Sequence, residues 1–154
     1  MRPGKRNATT KAGTNIDGGE SMSFPRHQKY YRFFIRPLRS LEFVADASAA
    51  DAYTRTIVKF LSGSASDKSA RKLNRYLPVP LTTITLRDKE TAPASVSHAE
   101  CVTEISRQFQ ISEEDALIVT QTVIRSVKYA VGCIILMEVA ESLAEDWAAV
   151  IEDA

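Results

Sequence analysis

From residue 25 onward, apolar positions recur at intervals of three and four over most of the chain. That spacing lines up side chains on one face of an α-helix, because a turn closes in 3.6 residues. In "RHQKYYRFFIRPLRSLEF" the stripe is Tyr30, Phe33, Phe34, Leu38 and Leu41, with Arg32, Arg36 and Arg39 between them. An amphipathic helix with a basic face is expected, and Pro37, which has no amide hydrogen, should kink or divide it. A second helix is expected from about Ser48 to Leu61, with Ala52, Ile57, Val58 and Leu61 facing inward. "SGSAS" then supplies a turn, and Ser66 or Asp67 caps a short third helix that reaches Tyr76 before Pro78 and Pro80 stop it.

The stretch "LTTITL", Leu81 to Leu86, is β-branched, but a single strand has nothing to pair with, so it reads as extended linker continuing through "RDKETAPAS". Helical periodicity restarts at "SHAE", where the Ser97 hydroxyl and the Glu100 carboxylate form a capping box. That helix has the stripe Val102, Ile105 and Phe109. "SEED" opens the next with acids at the positive end of the helix dipole, and its stripe is Ala116, Val119, Val123, Ile124 and Val127. Gly132 interrupts it. Ile134 to Leu143, with Trp147, Val150 and Ile151, form the closing helices, and Ala144 is expected to carry the helix on towards Trp147.

Sliding the chain by 66 residues superposes Phe43 on Phe109, Ala50 on Ala116, Thr54 on Thr120, Thr56 on Thr122 and Leu77 on Leu143. Ile57, Val58, Leu61 and Leu73 then meet Val123, Ile124, Val127 and Val139. A repeated helical unit needs the same buried stripe each time, and this agreement in apolar positions predicts one. The expected fold class is all-α: two tandem helical repeats packed into one compact helical bundle, preceded by a disordered basic tail. The boundaries read as a tail at 1–24, a first repeat at 25–86, a linker at 87–96 and a second repeat at 97–154.

The order helix, "ISEEDALIVTQTVIRSVKYAV", turn, "MEVAESLAEDWAAVI" resembles a bacterial helical-repeat family catalogued as domain of unknown function twenty-two sixty-seven. "RYLPVPL" keeps that family's Leu-Pro ending at Leu77 and Pro78, whereas Ala144 stands where the family usually has proline. The resemblance runs over about residues 30 to 154 and is best over 97 to 154. It implies the helical fold and a bacterial cytoplasmic setting, and no reaction.

Composition and charge refine this picture. A chain of 154 residues can bury a self-supporting core. Residues 1–23 hold four of the six glycines and no aromatic residue, too little apolar surface to offset the entropy of ordering. Cys101 and Cys133 lack CxxC spacing, which points to a reducing compartment and to two small buried side chains. No secretory signal follows the basic N-terminus, and the most apolar run, "AVGCIILM", is far short of the ~20 residues that cross a bilayer, so a cytoplasmic location is expected. The net charge of +1 conceals +6 over residues 1–44, +3 over 45–94 and −8 over 95–154.

Candidate chemistry is sparse. "GSASDKS" lacks the glycine before lysine that a phosphate-binding loop needs, and reads as a turn and a cap. His27 and His98 have no metal-ligand spacing, and His98, inside the capping box, is expected at the surface. Cys101 three residues after His98 has no orienting third group. Glu138, Glu141, Glu145 and Asp146 read as a solvated face. No catalytic, cofactor or metal residue is assigned. The expectation is a non-enzymatic interaction or scaffold protein that binds a protein partner or itself. The alternative is binding of nucleic acid or an anionic membrane surface through Lys29, Arg32, Arg36 and Arg39, whose cations suit phosphates while neighbouring aromatics stack or insert. Burial of Tyr30 to Phe34 would make those aromatics scaffold; exposure would make them a site.

Overall fold

The computed structural model describes the backbone of residues 23–82 and 96–154, and the side chains of 31–82 and 96–154. Residues 1–22 of the tail expected at 1–24 and most of the expected linker lie outside those residues. Seven helices of eight residues or more are formed: α1 Ser23–Arg39, α2 Ala47–Ser64, α3 Asp67–Tyr76, α4 His98–Phe109, α5 Glu113–Val131, α6 Cys133–Ala140 and α7 Glu145–Asp153. No strand occurs among the described residues, and residues 79–82, expected to be part of an extended linker from Leu81, instead form one more helical turn. The first helix begins at Ser23, inside the stretch assigned to the tail.

Helix starts follow the local chemistry. Asp46, Ser66, Ser97 and Ser112 each accept a hydrogen bond from the amide three residues on, and Ser97 and Glu100 complete the capping box. Gly132 both ends α5 and precedes α6 at φ 92 and ψ 148, a conformation that side chains disfavour.

Pro37 does not divide α1, which runs on to Arg39. A proline at 37 leaves the carbonyl four residues earlier, at Phe33, without its helical donor. The Ser126 hydroxyl of α5 donates to that carbonyl at 3.2 Å, so the break in the ladder becomes a tie between helices.

The core is organised on α5, which touches every other described helix. Its inward residues Ala116, Val119, Thr120, Val123, Ile124 and Val127 are fully buried and mostly small or β-branched, which lets several neighbours approach. Phe34 and Leu38 come from α1, Ile57, Val58 and Leu61 from α2, Leu73 from α3, Ile105 from α4, Leu136 from α6, and Trp147 and Ile151 from α7. The predicted inner face of α2 is rotated slightly: Ala50 and Tyr53 are buried, and Ala52 is only partly so.

Several structural features lie 66 residues apart. The caps Asp46 and Ser112 are 66 apart, and Thr54 and Thr120, both fully buried, donate to Ala50 O at 2.9 Å and Ala116 O at 2.8 Å. Thr56 and Thr122 do the same to Ala52 O and Ile118 O, at 2.8 and 2.7 Å. Each buried hydroxyl is satisfied within its own helix, so a polar side chain can sit against the core. The first helices fall into step one residue later: Phe34 and Leu38 of α1 take the buried positions of Cys101 and Ile105 in α4. Equivalent elements also face one another, α2 against α5 and α3 against α6, and Lys72 pairs across the second contact with Glu138, 66 residues on. Pairing of equivalent residues is the mark of a two-fold relation.

Ala144 does not extend a helix. It stands at φ −60 and ψ 152, the chain turns over residues 141–144, and α7 begins only at Glu145. Leu77 adopts nearly the same backbone, φ −82 and ψ 153, where α3 stops. Leu81 and Trp147, 66 apart, are both fully buried beyond these breaks. The break therefore does not depend on the prolines.

Replacing Ser126 with Ala should cost about 1 kcal/mol in urea unfolding. In a Pro37→Ala background the restored amide engages Phe33 O, and the cost of Ser126→Ala should shrink; equal costs in both backgrounds would dismiss the tie. Gly132→Ala has open space around the new methyl group, so its expected loss of about 1–3 kcal/mol is a backbone effect alone, read from the same unfolding curves.

Candidate functional site

The core fixes the inner face of α1 and leaves its outer face to solvent. Phe34 and Leu38 are buried. Tyr31, half-buried, donates its hydroxyl to the Asp51 carboxylate, which also accepts from Arg55 Nε at 2.8 and 3.0 Å. Burial, reinforced by the Asp51 charge, raises the Tyr31 pKa, which keeps the phenol a donor. Phe34 and Tyr31 are therefore scaffold, while the side chain of Tyr30 lies outside the described residues.

Arg32, Arg36 and Arg39 stand on the opposite side of the helix and are exposed. With Ile35 and Ser40 they line an open concavity of about 560 Å³. At 1.5 Å per residue the row from Arg32 to Arg39 spans about 10.5 Å. None of the three forms an ion pair with another described residue; those pairs are Arg55 with Asp51, Lys72 with Glu138 and Arg107 with Glu104. The side chain of Lys29, the fourth cation of the sequence-based site, lies outside the described residues.

Beside this row is a feature the sequence reading passed over. Phe33, adjacent to Arg32, meets Tyr129 of α5 edge to face, with ring centroids 5.6 Å apart and planes at 80°. Phe33, Phe34, Ser126, Tyr129 and Ala130 line a cavity of about 200 Å³, and Tyr129 is 73% exposed. The signal was available: Tyr129 falls outside the apolar stripe of its helix, an off-phase place for a large aromatic ring.

A second cluster joins the C-terminal helix to the start of α4. Asp146 accepts from the backbone amides of His98 at 2.9 Å and Ala99 at 3.0 Å, and Trp147 Nε1 donates to Val96 O at 2.8 Å. Asp146 is thus a cap for another helix rather than part of a solvated face, and Glu138 of that same predicted face pairs with Lys72. The His98 ring packs edge-on against Trp147 at 5.3 Å and is only 8% exposed, contrary to the surface position expected for it. Its Nε2 has no hydrogen-bond partner among the described residues, and burial lowers its pKa against the opposing pull of Asp146. Lys128 closes the far end of α7, donating to Ile151 O at 2.9 Å and Ala154 O at 3.3 Å.

Cys101 is buried as expected, and burial pushes its thiol up to about 12, so little thiolate forms beside His98 at neutral pH. Cys133 is exposed, because it opens α6 on the outer side of the bundle beside Ile134, which is 76% exposed. The described residues contain no group of three His, Cys, Asp or Glu side chains placed to share a metal ion, and no helix long and apolar enough to cross a membrane.

No protein-family model matches the chain, and no curated protein or solved structure matches it at a significant level.

The lowered pKa of His98 gives a pH dependence with a definite sign. The unfolded chain takes up a proton on His98 as pH falls through about 6.5, while the folded chain resists until lower pH. Stability due to the neutral ring is therefore present above pH 6.5 and declines as pH drops towards the folded value. Between pH 7 and pH 5 the unfolding free energy of the native chain should fall more steeply than that of a His98→Gln variant; parallel slopes would show that His98 does not titrate differently on folding.

Proposed function

We propose that this chain is a non-enzymatic interaction module, made of two related helical units on a shared core, that engages an anionic partner through the outer face of α1. The observation that carries the reading is the row Arg32, Arg36 and Arg39: three exposed cations without ion-pair partners among the described residues, on a helix whose other face is anchored in the core. Anchoring matters because a cation on a rigid helix loses less freedom on binding than one on a loose segment. The buried Cys101 thiol, held protonated, is consistent with structural rather than catalytic duty.

Two further supports bear on the module itself. The threonine hydrogen bonds and helix breaks in 66-residue register suit a duplicated unit, and the resemblance to the domain of unknown function twenty-two sixty-seven family implies the same arrangement in a bacterial cytoplasmic protein. The acidic C-terminal third repels anions, so an anionic partner is steered to the basic front of the molecule. An acidic protein face, a second copy, nucleic acid and an anionic membrane all share the required charge. The aromatic groups flanking the arginines distinguish among them.

Heparin serves as a general polyanion probe. The full chain should be retained on immobilised heparin and elute at distinctly higher salt than the Arg32→Ala, Arg36→Ala, Arg39→Ala triple variant, with thermal melting unchanged between the two. Identical elution with intact folding would overturn the reading.

A further inference from the structure

We infer that the Phe33–Tyr129 slot and the arginine row of α1 form one binding site for single-stranded nucleic acid, with an unpaired base in the slot and the flanking phosphates on Arg32, Arg36 and Arg39. This rests on the reading of α1 as an anion-binding face and names the partner that face takes.

Charge alone does not choose a partner; the slot does. Tyr129 leaves most of its ring in water, 73% exposed, although an aromatic side chain usually buries much of its area. It borders a concavity of about 200 Å³ that among the described residues is also lined by Phe33, Phe34, Ser126 and Ala130. A flat aromatic group laid on the exposed Tyr129 ring gains contact with its π face without displacing a described side chain. The slot and the cations are also neighbours by construction. Phe33 follows Arg32 directly, so their Cα atoms are about 3.8 Å apart, and the helical turn of about 100° per residue sets the slot on one flank of the arginine row. A ligand therefore needs a planar apolar group next to a chain of negative charges. An unpaired nucleotide strand has that composition, and a row of about 10.5 Å is long enough to meet more than one of its phosphates.

The competing partners use this surface less fully. A duplex keeps its base faces stacked on one another and leaves the slot unoccupied. An anionic membrane asks for projecting apolar groups on the face that carries the cations, and among the described residues the apolar one lining that concavity is Ile35, which is partly buried. An acidic protein helix satisfies the arginines and has no use for the slot. The lining also predicts how the site discriminates: Ser126 donates its hydroxyl hydrogen to Phe33 O, so among the slot's side-chain groups the Tyr129 phenol is left as the donor for a base edge. Stacking then dominates, and preference among bases should be shallow.

The test is fluorescence anisotropy of a labelled single-stranded oligonucleotide with the full chain, across a salt series and beside the matching duplex and anionic phospholipid vesicles. Single strand should bind more tightly than duplex. Tyr129→Ala should weaken single-strand binding roughly ten- to hundredfold without changing the salt slope, Tyr129→Phe should largely retain it, and the triple arginine variant should flatten the slope. Melting curves confirm that each variant is folded. Duplex binding as tight as single strand, or an unchanged affinity in Tyr129→Ala, would overturn the inference. Arginine-dependent binding of vesicles or heparin alone would overturn it while leaving the interaction module standing. Failure of every anionic probe would overturn both.

Discussion

One helix in this bundle has to touch all the others, and most of the molecule follows from that demand. α5 is in contact with every other described helix, so its inward side chains are Ala, Val, Thr and Ile rather than bulky aromatics. Small and β-branched residues let several neighbours approach within van der Waals distance, and they leave the large groups to be supplied from outside, as Phe34, Leu136 and Trp147 are. A polar group on such a helix is tolerable only when satisfied locally. Thr120 and Thr122 bond to carbonyls one turn earlier, and Ser126 takes the carbonyl that Pro37 leaves without its helical donor.

The same economy joins the two halves. Equivalent helices α2 and α5, and α3 and α6, face each other, and the Lys72–Glu138 pair joins equivalent positions. That pair is partly exposed and adds little stability by itself. The ends are held differently. Asp146 and Trp147 grip the chain at Val96, His98 and Ala99, whereas Ser126 grips α1. The buried hydroxyls spaced 66 residues apart are satisfied within their own helices, whereas contacts with other helices fix where α1 and α4 lie.

A molecule built this way has its α1 arginines pointing outward because Phe34 and Leu38 on the opposite face are committed to the core. The charge gradient along the sequence becomes a spatial one only in part: the acids of the C-terminal third do not neutralise Arg32, Arg36 or Arg39 among the described residues, but go to helix starts, to Lys72 and to the α4 cap. The binding surface proposed for α1 depends on that distribution of partners.

The sequence by itself determined the all-α class, the capped helix starts at Ser66, Ser97 and Ser112, and most of the buried stripes. Caps, periodicity and amide geometry are local, and Ser66, Ser97, Ser112 and Gly132 act within a few residues of themselves. It also placed Arg32, Arg36 and Arg39 on one helical face. Tertiary structure alone decided what those faces meet. The missing hydrogen of Pro37, visible in the sequence, predicts a kink or a division, while the hydroxyl that takes up Phe33 O lies 93 residues away. Nothing local to His98 announces its burial against Trp147, and nothing local to Asp146 announces the amides it caps on another helix. The aromatic slot, formed when α1 lands on α5, exists only after the chain has closed, since contact between distant residues is set by packing and not by periodicity.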